Sequence, residues 1–284
     1  MEFSVDMIKL QTVINRSDIE FICKTVLNVE NNPYVKMYNK FGWKDYKYQF
    51  IYDDGTQNFW FAYDFALSDR PSEESRTFVI DYNPNKNELN GALLKLLKAI
   101  TLHKRCQWIV KGGDIAIDLK GVKRDSVFYD KKYYKHTLEY IDNDSKTNYI
   151  GHRGWGRTKI YDKAKEQGLD GDWTRVEFTV KMGFELHYFR AYNGGCIDMT
   201  IPDITVVDYM QLEDVKLKAY FHLIASGLAT VNDFKRDIRK KLKETAISSS
   251  SIVIDNSIKP NLCDCMLAYL EKFVQTLDIF AYPN

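Results

Sequence analysis

The chain has 284 residues, a formal net charge of +1, and 45% hydrophobic against 28% charged residues. That is enough to bury a core in one large domain or two smaller ones, and the balance excludes a disordered chain. A net charge so close to zero excludes a global basic field, so any nucleic-acid surface has to be a local patch.

Along the chain, Ser17 and Glu20 form a capping box for a predicted helix over 17–29, with Ile19, Ile22 and Val26 at helical spacing. Tyr46–Tyr52 and Asn58–Phe65 flank DDGT (Asp53–Thr56), which predicts a hairpin. Arg76–Tyr82 reads as a strand closed by the turn Asn83–Asn87. Leu89–Lys104 is amphipathic, with Leu93, Leu96, Leu97 and Ile100 on one side. Trp108–Leu119 and Tyr133–Ile141 read as strands. Phe184–Tyr192 and Cys196–Ile201 read as a hairpin around Asn193-Gly194-Gly195. From about Val207 the pattern turns helical, over Gln211–Ala225, Thr230–Glu244 and Leu262–Leu277, with the polar run Ser248–Ser251 between the last two. The expected fold is α+β, a largely antiparallel sheet with flanking helices followed by a helical C-terminal region. The expected division is residues 1–205 and residues 206–284.

The five cysteines (Cys23, Cys106, Cys196, Cys263, Cys265) are scattered, as reduced thiols in a cytoplasm would be. The five histidines show no HxH or HxxxH spacing, which argues against a histidine-bound metal. The N-terminus lacks a basic stretch leading into an apolar core, and no apolar run reaches the ~18 residues of a membrane span. A cytoplasmic location without a membrane partner is therefore expected.

The chemistry concentrates in Tyr149–Lys181. Alternation along a strand puts Arg175, Glu177, Thr179 and Lys181 on one face and Val176, Phe178 and Val180 on the other. In the same way Asp114, Ala116 and Asp118 share a face, and Lys159, Tyr161 and Lys163 share one if that segment is extended. Carboxylates beside a small alanine leave room for a hard cation such as magnesium or manganese. Residues four apart on a strand are ~13 Å apart, so Asp114 with Glu177 is the favoured metal pair. Asp118 is then left to orient a partner or end its strand. A tyrosine, with an ordinary pKa of ~10, needs a base, cations or a metal to attack phosphorus, and Arg157, Lys159, Lys163 and Arg175 are near Tyr161 in sequence. The loop Gly151–Thr158 differs from a nucleotide-triphosphate loop: Arg157 stands where lysine is required, and a strand-like segment follows instead of a helix. Farther on, Lys235, Arg236, Arg239 and Lys240 give the 230–244 segment a basic face, which with Ser226-Gly227 reads as a helix-turn-helix that meets DNA.

Four segments together resemble the replication initiation factor family, which includes rolling-circle plasmid and phage initiators and relaxases of some conjugative elements. They are YIGHRGWGRTKIYDKAKEQ, DWTRVEFTVK, DIAID and DYNPNKN, spanning roughly residues 76–181. Gly113 stands where the family usually has arginine, and the serine common in the glycine-rich loop is absent.

The resemblance implies an enzyme that nicks DNA with the help of a divalent metal and forms a 5′-phosphotyrosyl join. It implies Tyr161 as nucleophile, Lys163 and Arg175 as catalytic cations, and Asp114, Asp118 and Glu177 as metal ligands. Arg153, Arg157, Lys159, Lys235, Arg236, Arg239 and Lys240 are the expected DNA contacts. Origin DNA, single-stranded or extruded as a cruciform, is the expected partner, with a host helicase and a second copy of the chain. A conjugative relaxase with the same chemistry, and a non-catalytic DNA-binding regulator, are the alternatives.

Overall fold

The computed structural model describes residues 1–37, 46–65, 77–103, 107–129, 137–142, 145–152, 156–192, 200–226, 228–229 and 231–278. Its elements in chain order are β1 (Glu2–Val13), α1 (Arg16–Leu27), β2 (Val35–Met37), β3 (Tyr46–Asp53), β4 (Asn58–Phe65), β5 (Thr77–Tyr82), α2 (Gly91–Leu102) and β6 (Ile109–Lys120). There follow β7 (Val127–Tyr129), β8 (Thr137–Asp142), β9 (Ser145–His152), β10 (Gly156–Asp162), α3 (Lys163–Glu166) and β11 (Trp173–Glu185). The last are β12 (Ile204–Val207), α4 (Val215–Ala225), α5 (Arg236–Ser248), β13 (Ser250–Ile254) and α6 (Lys259–Leu277). The architecture is α+β, with a largely antiparallel sheet and flanking helices, as the patterning predicts.

The chain forms two compact units. The first is built from residues 1–3, 116–179 and 199–262, and the second from 4–115, 180–198 and 263–284. Residues 206–284 are thus shared between the units, 206–262 in the first and the remainder in the second.

In the second unit the strand order is β2-β3-β4-β5-β1, followed by the first part of β6 and the last part of β11. The β2–β3, β3–β4, β4–β5 and β5–β1 pairs are antiparallel. The DDGT hairpin forms as expected because Asp54 caps it: its Oδ1 accepts from the amides of Thr56 at 2.8 Å and Gln57 at 2.7 Å. Gln57 then reaches α2. Its Oε1 accepts from Ala92 N and Leu93 N at 3.0 and 3.2 Å, so a residue 35 positions upstream caps the helix where Asn90 does not. Ile8, Leu10, Phe59, Phe61, Phe78, Ile80, Leu93, Leu96, Leu97 and Ile100 are fully buried in this unit. Position 113 admits only glycine: a Cβ there would lie 2.4 Å from the carbonyl oxygen of Met7. An arginine at that position would push β6 away from β1.

In the first unit the order is the last part of β6, the first part of β11, then β10, β9 and β8. The β11–β10, β10–β9 and β9–β8 pairs are antiparallel. A three-stranded sheet, β13-β12-β7, lies in the same unit. Phe128, Val207, Leu217, Phe221, Ala225 and Leu242 pack together, which docks α4 and α5 on it.

Several local expectations are corrected. Helix α1 begins at Arg16 with Asn15 at its N-cap, so Ser17 lies inside the first turn and no capping box forms. The segment 184–192 is not one strand: β11 ends at Glu185 and Leu186–Tyr192 is a 3-10 helix. The partner half of that predicted hairpin lies largely outside the described residues. Ser250 and Ser251 begin β13: Ser250 pairs with Val207 of β12, the register shifts at Ser251, and both hydroxyls donate to the Val206 carbonyl, at 3.2 and 3.4 Å. The predicted 211–225 helix is α4 preceded by a 3-10 turn at Tyr209–Gln211. The predicted 230–244 helix is a 3-10 turn (Val231–Asp233) followed by α5. Ten residues, 226–235, thus separate α4 from α5, and the three- to four-residue turn of a helix-turn-helix is not present. Among the described residues no helix is long and apolar enough to cross a membrane.

Candidate functional site

Strands β10 and β11 build the candidate site in the first unit. Their register sets Tyr161 opposite Arg175, Lys159 opposite Glu177 and Arg157 opposite Thr179. Because side chains alternate, Lys159, Tyr161, Arg175 and Glu177 share one face. The hairpin that presents them closes between Gly151 and Gly156. A Cβ on Gly151, at φ +88°, would stand 2.8 Å from the Gly156 carbonyl oxygen. Arg153 lies outside the described residues.

The face is not a solvated polar surface. Glu177 and Arg175 are only 3% and 6% exposed. Charges so buried need partners, and each has them. The Glu177 carboxylate takes the Lys159 ammonium on Oε1 and the Tyr161 hydroxyl on Oε2, the latter at 3.3 Å. The Arg175 guanidinium grips Asp118 of β6 through two bonds, Nε to Oδ1 at 2.8 Å and Nη2 to Oδ2 at 2.7 Å. Trp173 Nε1 donates to the same Oδ1 at 2.8 Å.

Lys163 departs from the expected extended run. The chain turns helical there: Asp162 caps α3 by accepting from the Lys165 amide at 2.9 Å, and Gly168 (φ +64°) follows the short helix in the left-handed region. The turn still brings Lys163 to the nucleophile candidate, because its ammonium lies 5.8 Å from the centre of the Tyr161 ring. Lys163 is buried and paired with Glu166 on the next turn. Arg157 lies over the Tyr149 ring at 4.7 Å.

Lys159, Tyr161, Arg175 and Glu177 therefore share a face as the alternation predicts, Lys163 is brought beside Tyr161 by the helical turn, and Asp118 is joined to Arg175. Asp114 is half-buried in β6 and belongs to the second unit. On α5, Arg236 and Lys240 are exposed and Arg239 is half-exposed, with Lys235 at the N-cap. Lys240 pairs with Glu244 at 3.7 Å. Two participants carried no assigned role in the sequence, Trp173 and Glu166. Trp173 was legible as the residue two before Arg175 on the same strand face. Glu166 stands three residues after Lys163, a spacing that brings the two side chains together only once a helix forms.

The donor set does not fit a divalent cation as arranged. Among the described residues no three His, Cys, Asp or Glu side chains gather where one ion would take them. Both oxygens of Glu177 and both of Asp118 are held by cations or donors of the chain itself. An ion at Glu177 would have to displace Lys159.

No family model matches the chain, and no curated protein matches it. Among solved structures the chain is similar to a rolling circle replication initiator protein from Geobacillus stearothermophilus, at 13% identity and a TM-score of 0.41. That likeness covers 80% of this chain and 96% of the other. A likeness of that degree assigns no residue a role.

Proposed function

We propose that this protein nicks one DNA strand at an origin with Tyr161 as nucleophile, and so starts rolling-circle replication of a mobile element. The observation that supports this reading most directly is the Tyr161 hydroxyl donating to the buried Glu177 carboxylate at 3.3 Å. The Lys163 ammonium lies 5.8 Å from the Tyr161 ring. A phenol is a weak nucleophile until a base takes its proton or cations stabilise its anion. In the proposed step the Tyr161 oxygen bonds to phosphorus and the phenolic proton passes to Oε2 of Glu177. The bond from phosphorus to the 3′ oxygen breaks, and that oxygen takes a proton from solvent to leave a free 3′ hydroxyl. Lys163 stabilises the developing negative charge, and Arg175, the register partner of Tyr161 on the facing strand, adds a second positive charge. The four sequence segments that resemble replication initiation factors support the same reading.

The resemblance also implies magnesium or manganese. The carboxylates do not fit that ion as arranged, and the proposed step uses the chain's own residues. Origin DNA in single-stranded form is the proposed substrate. A host helicase and a second copy of the chain are the proposed partners.

The test is incubation with a single-stranded origin oligonucleotide and manganese, followed by a denaturing gel. Wild type is expected to form a covalent protein–DNA adduct and Tyr161→Phe none. Equal adduct from both would overturn the assignment.

A further inference from the structure

We infer that Asp118 is a positioning residue that fixes the Arg175 guanidinium, and not a ligand of a divalent cation; the catalytic consequence rests on the nicking reading above. Three N–H groups converge on one carboxylate, two from Arg175 and one from Trp173, at 2.7–2.8 Å. Both side chains are nearly excluded from water, at 7% and 8% exposure. A guanidinium is a planar fork that keeps its charge at any working pH. Two parallel bonds to one carboxylate therefore fix both its position and its rotation.

That fixation bears on the site because Arg175 is the register partner of Tyr161. The direction in which the guanidinium points decides where its positive charge falls relative to the tyrosine. Trp173 adds a third point. Its indole N–H holds Oδ1, and its ring centre lies 5.9 Å from the guanidinium carbon. Trp173, Arg175 and Asp118 thus form one unit in which two side chains orient the third. A divalent cation on Asp118 would have to take oxygens already bound and would sit against a like charge at short range in a poorly solvated place.

The metal reading and the positioning reading separate in two measurements. The first uses no chemistry and no metal. In a Tyr161→Phe background with chelator present, binding of a single-stranded oligonucleotide is measured against salt concentration. Asp118→Asn is expected to lower the slope of log affinity against log salt by about 0.7, the value of one single-strand phosphate contact. Arg175→Ala is expected to lower it by the same amount, and the double variant by no more than either alone. The second measurement is adduct formation by otherwise wild-type protein across a manganese titration. Asp118→Asn is expected to slow it about 10- to 100-fold at every manganese concentration, as a misplaced group does, with the half-saturating concentration unchanged.

If Asp118→Asn instead raised the half-saturating manganese and excess metal restored the rate, or left chelator-treated binding unchanged, the inference would be overturned. Should Asp118→Asn fail to fold, as judged by circular dichroism, Trp173→Phe removes one donor to the same carboxylate. It is expected to move both readouts in the same direction by less; no movement would overturn the inference. Wild type that binds oligonucleotide but forms no adduct would overturn the nicking reading alone, since the binding arm still reports on Asp118 and Arg175.

Discussion

The hydroxyl of Tyr161 donates to Oε2 of Glu177 across 3.3 Å, while the Lys159 ammonium holds Oε1 of the same carboxylate. One buried acid is thus shared between a strand neighbour that neutralises it and a phenol that donates to it. The β10–β11 register makes the arrangement, because Lys159 lies directly opposite Glu177 and Tyr161 lies two residues along the same face.

Replacing Glu177 by glutamine keeps the shape but removes the charge and the base. Adduct formation is expected to fall about 10²- to 10⁴-fold, the usual worth of a positioned general base. Stability is expected to fall too, because Lys159 then holds a charge against a neutral amide. Breaking a buried pair by removing one partner costs about 3–5 kcal/mol, an upper figure here because Lys159 is 21% exposed. Lys159→Met combined with Glu177→Gln is expected to recover much of that stability and none of the activity. Thermal melts and single-turnover adduct assays measure the two separately. Glutamine with wild-type activity would remove Glu177 from the proton-transfer role.

On α5 the expected DNA-binding residues reduce to a short basic stripe. Lys235, Arg236, Arg239 and Lys240 lie at its start, while Lys241 is tied to Asp214, the N-cap of α4, at 2.7 Å. If the stripe meets duplex phosphates, alanine at all four lowers the slope of log affinity against log salt by about 0.9 for each phosphate no longer neutralised, so by as much as about 3.6. Lys241→Ala is expected to leave that slope nearly unchanged and to loosen the packing of α5 on α4. Filter binding across a salt series checks both. An unchanged slope in the quadruple variant would place recognition elsewhere.

Much of the site was legible because alternation needs only the strand to be right. Arg175 with Glu177 on one side of β11, and Lys159 with Tyr161 on one side of β10, follow from period two once the two strands exist. What alternation does not reveal is burial: the same pattern describes a solvated face and a buried ion-pair network. The fold was least legible where local signals are weak. In β1 the buried positions are Val5, Ile8, Leu10 and Thr12, so the period-two phase slips between the first two and the strand does not announce itself. In β13 serines begin a strand whose place is set by pairing with β12. The cap of α2 comes from Gln57, a partner that no window around residue 90 contains. Residues 206–284 read as a separate region by composition, yet Met266, Leu270 and Phe273 of α6 are fully buried within the unit built mostly from residues 4–115.

The second unit holds a pair of phenols, Tyr82 buried and Tyr269 half-buried. The hydroxyls of Tyr82 and Tyr269 meet at 2.5 Å, joining β5 to α6. Burial, then the neighbouring phenol, pushes the Tyr82 pKa well above its ordinary value, so this pair stays neutral through the working range. Tyr82→Phe leaves the half-buried Tyr269 hydroxyl without its partner and is expected to cost about 1 kcal/mol. Tyr269→Phe is expected to cost a similar amount. The double variant is expected to cost clearly less than the sum, because no orphaned hydroxyl remains. Urea denaturation of the three variants gives the cycle. Strict additivity would mean that the two phenols do not interact.

The DDGT turn makes a pH prediction. The Asp54 carboxyl is held at about 2, chiefly by the Gln57 amide and then by the Thr56 hydroxyl, which favour the charged form. The Thr56 amide and the Tyr52 hydroxyl add to the same carboxylate. A folded-state pKa below the unfolded value of 3.8 means that the unfolded chain binds the proton first as pH falls. The stabilisation is therefore full above 3.8, declines through the interval below it, and is gone below about 2. Asp54→Asn is expected to be less stable than wild type at neutral pH, with the difference shrinking across that interval and vanishing at its acid end. Urea midpoints measured at half-unit steps in pH test this. Parallel profiles for the two proteins would show that Asp54 carries no linked proton, and the turn would then owe its stability to Gly55, whose φ of +83° suits glycine alone.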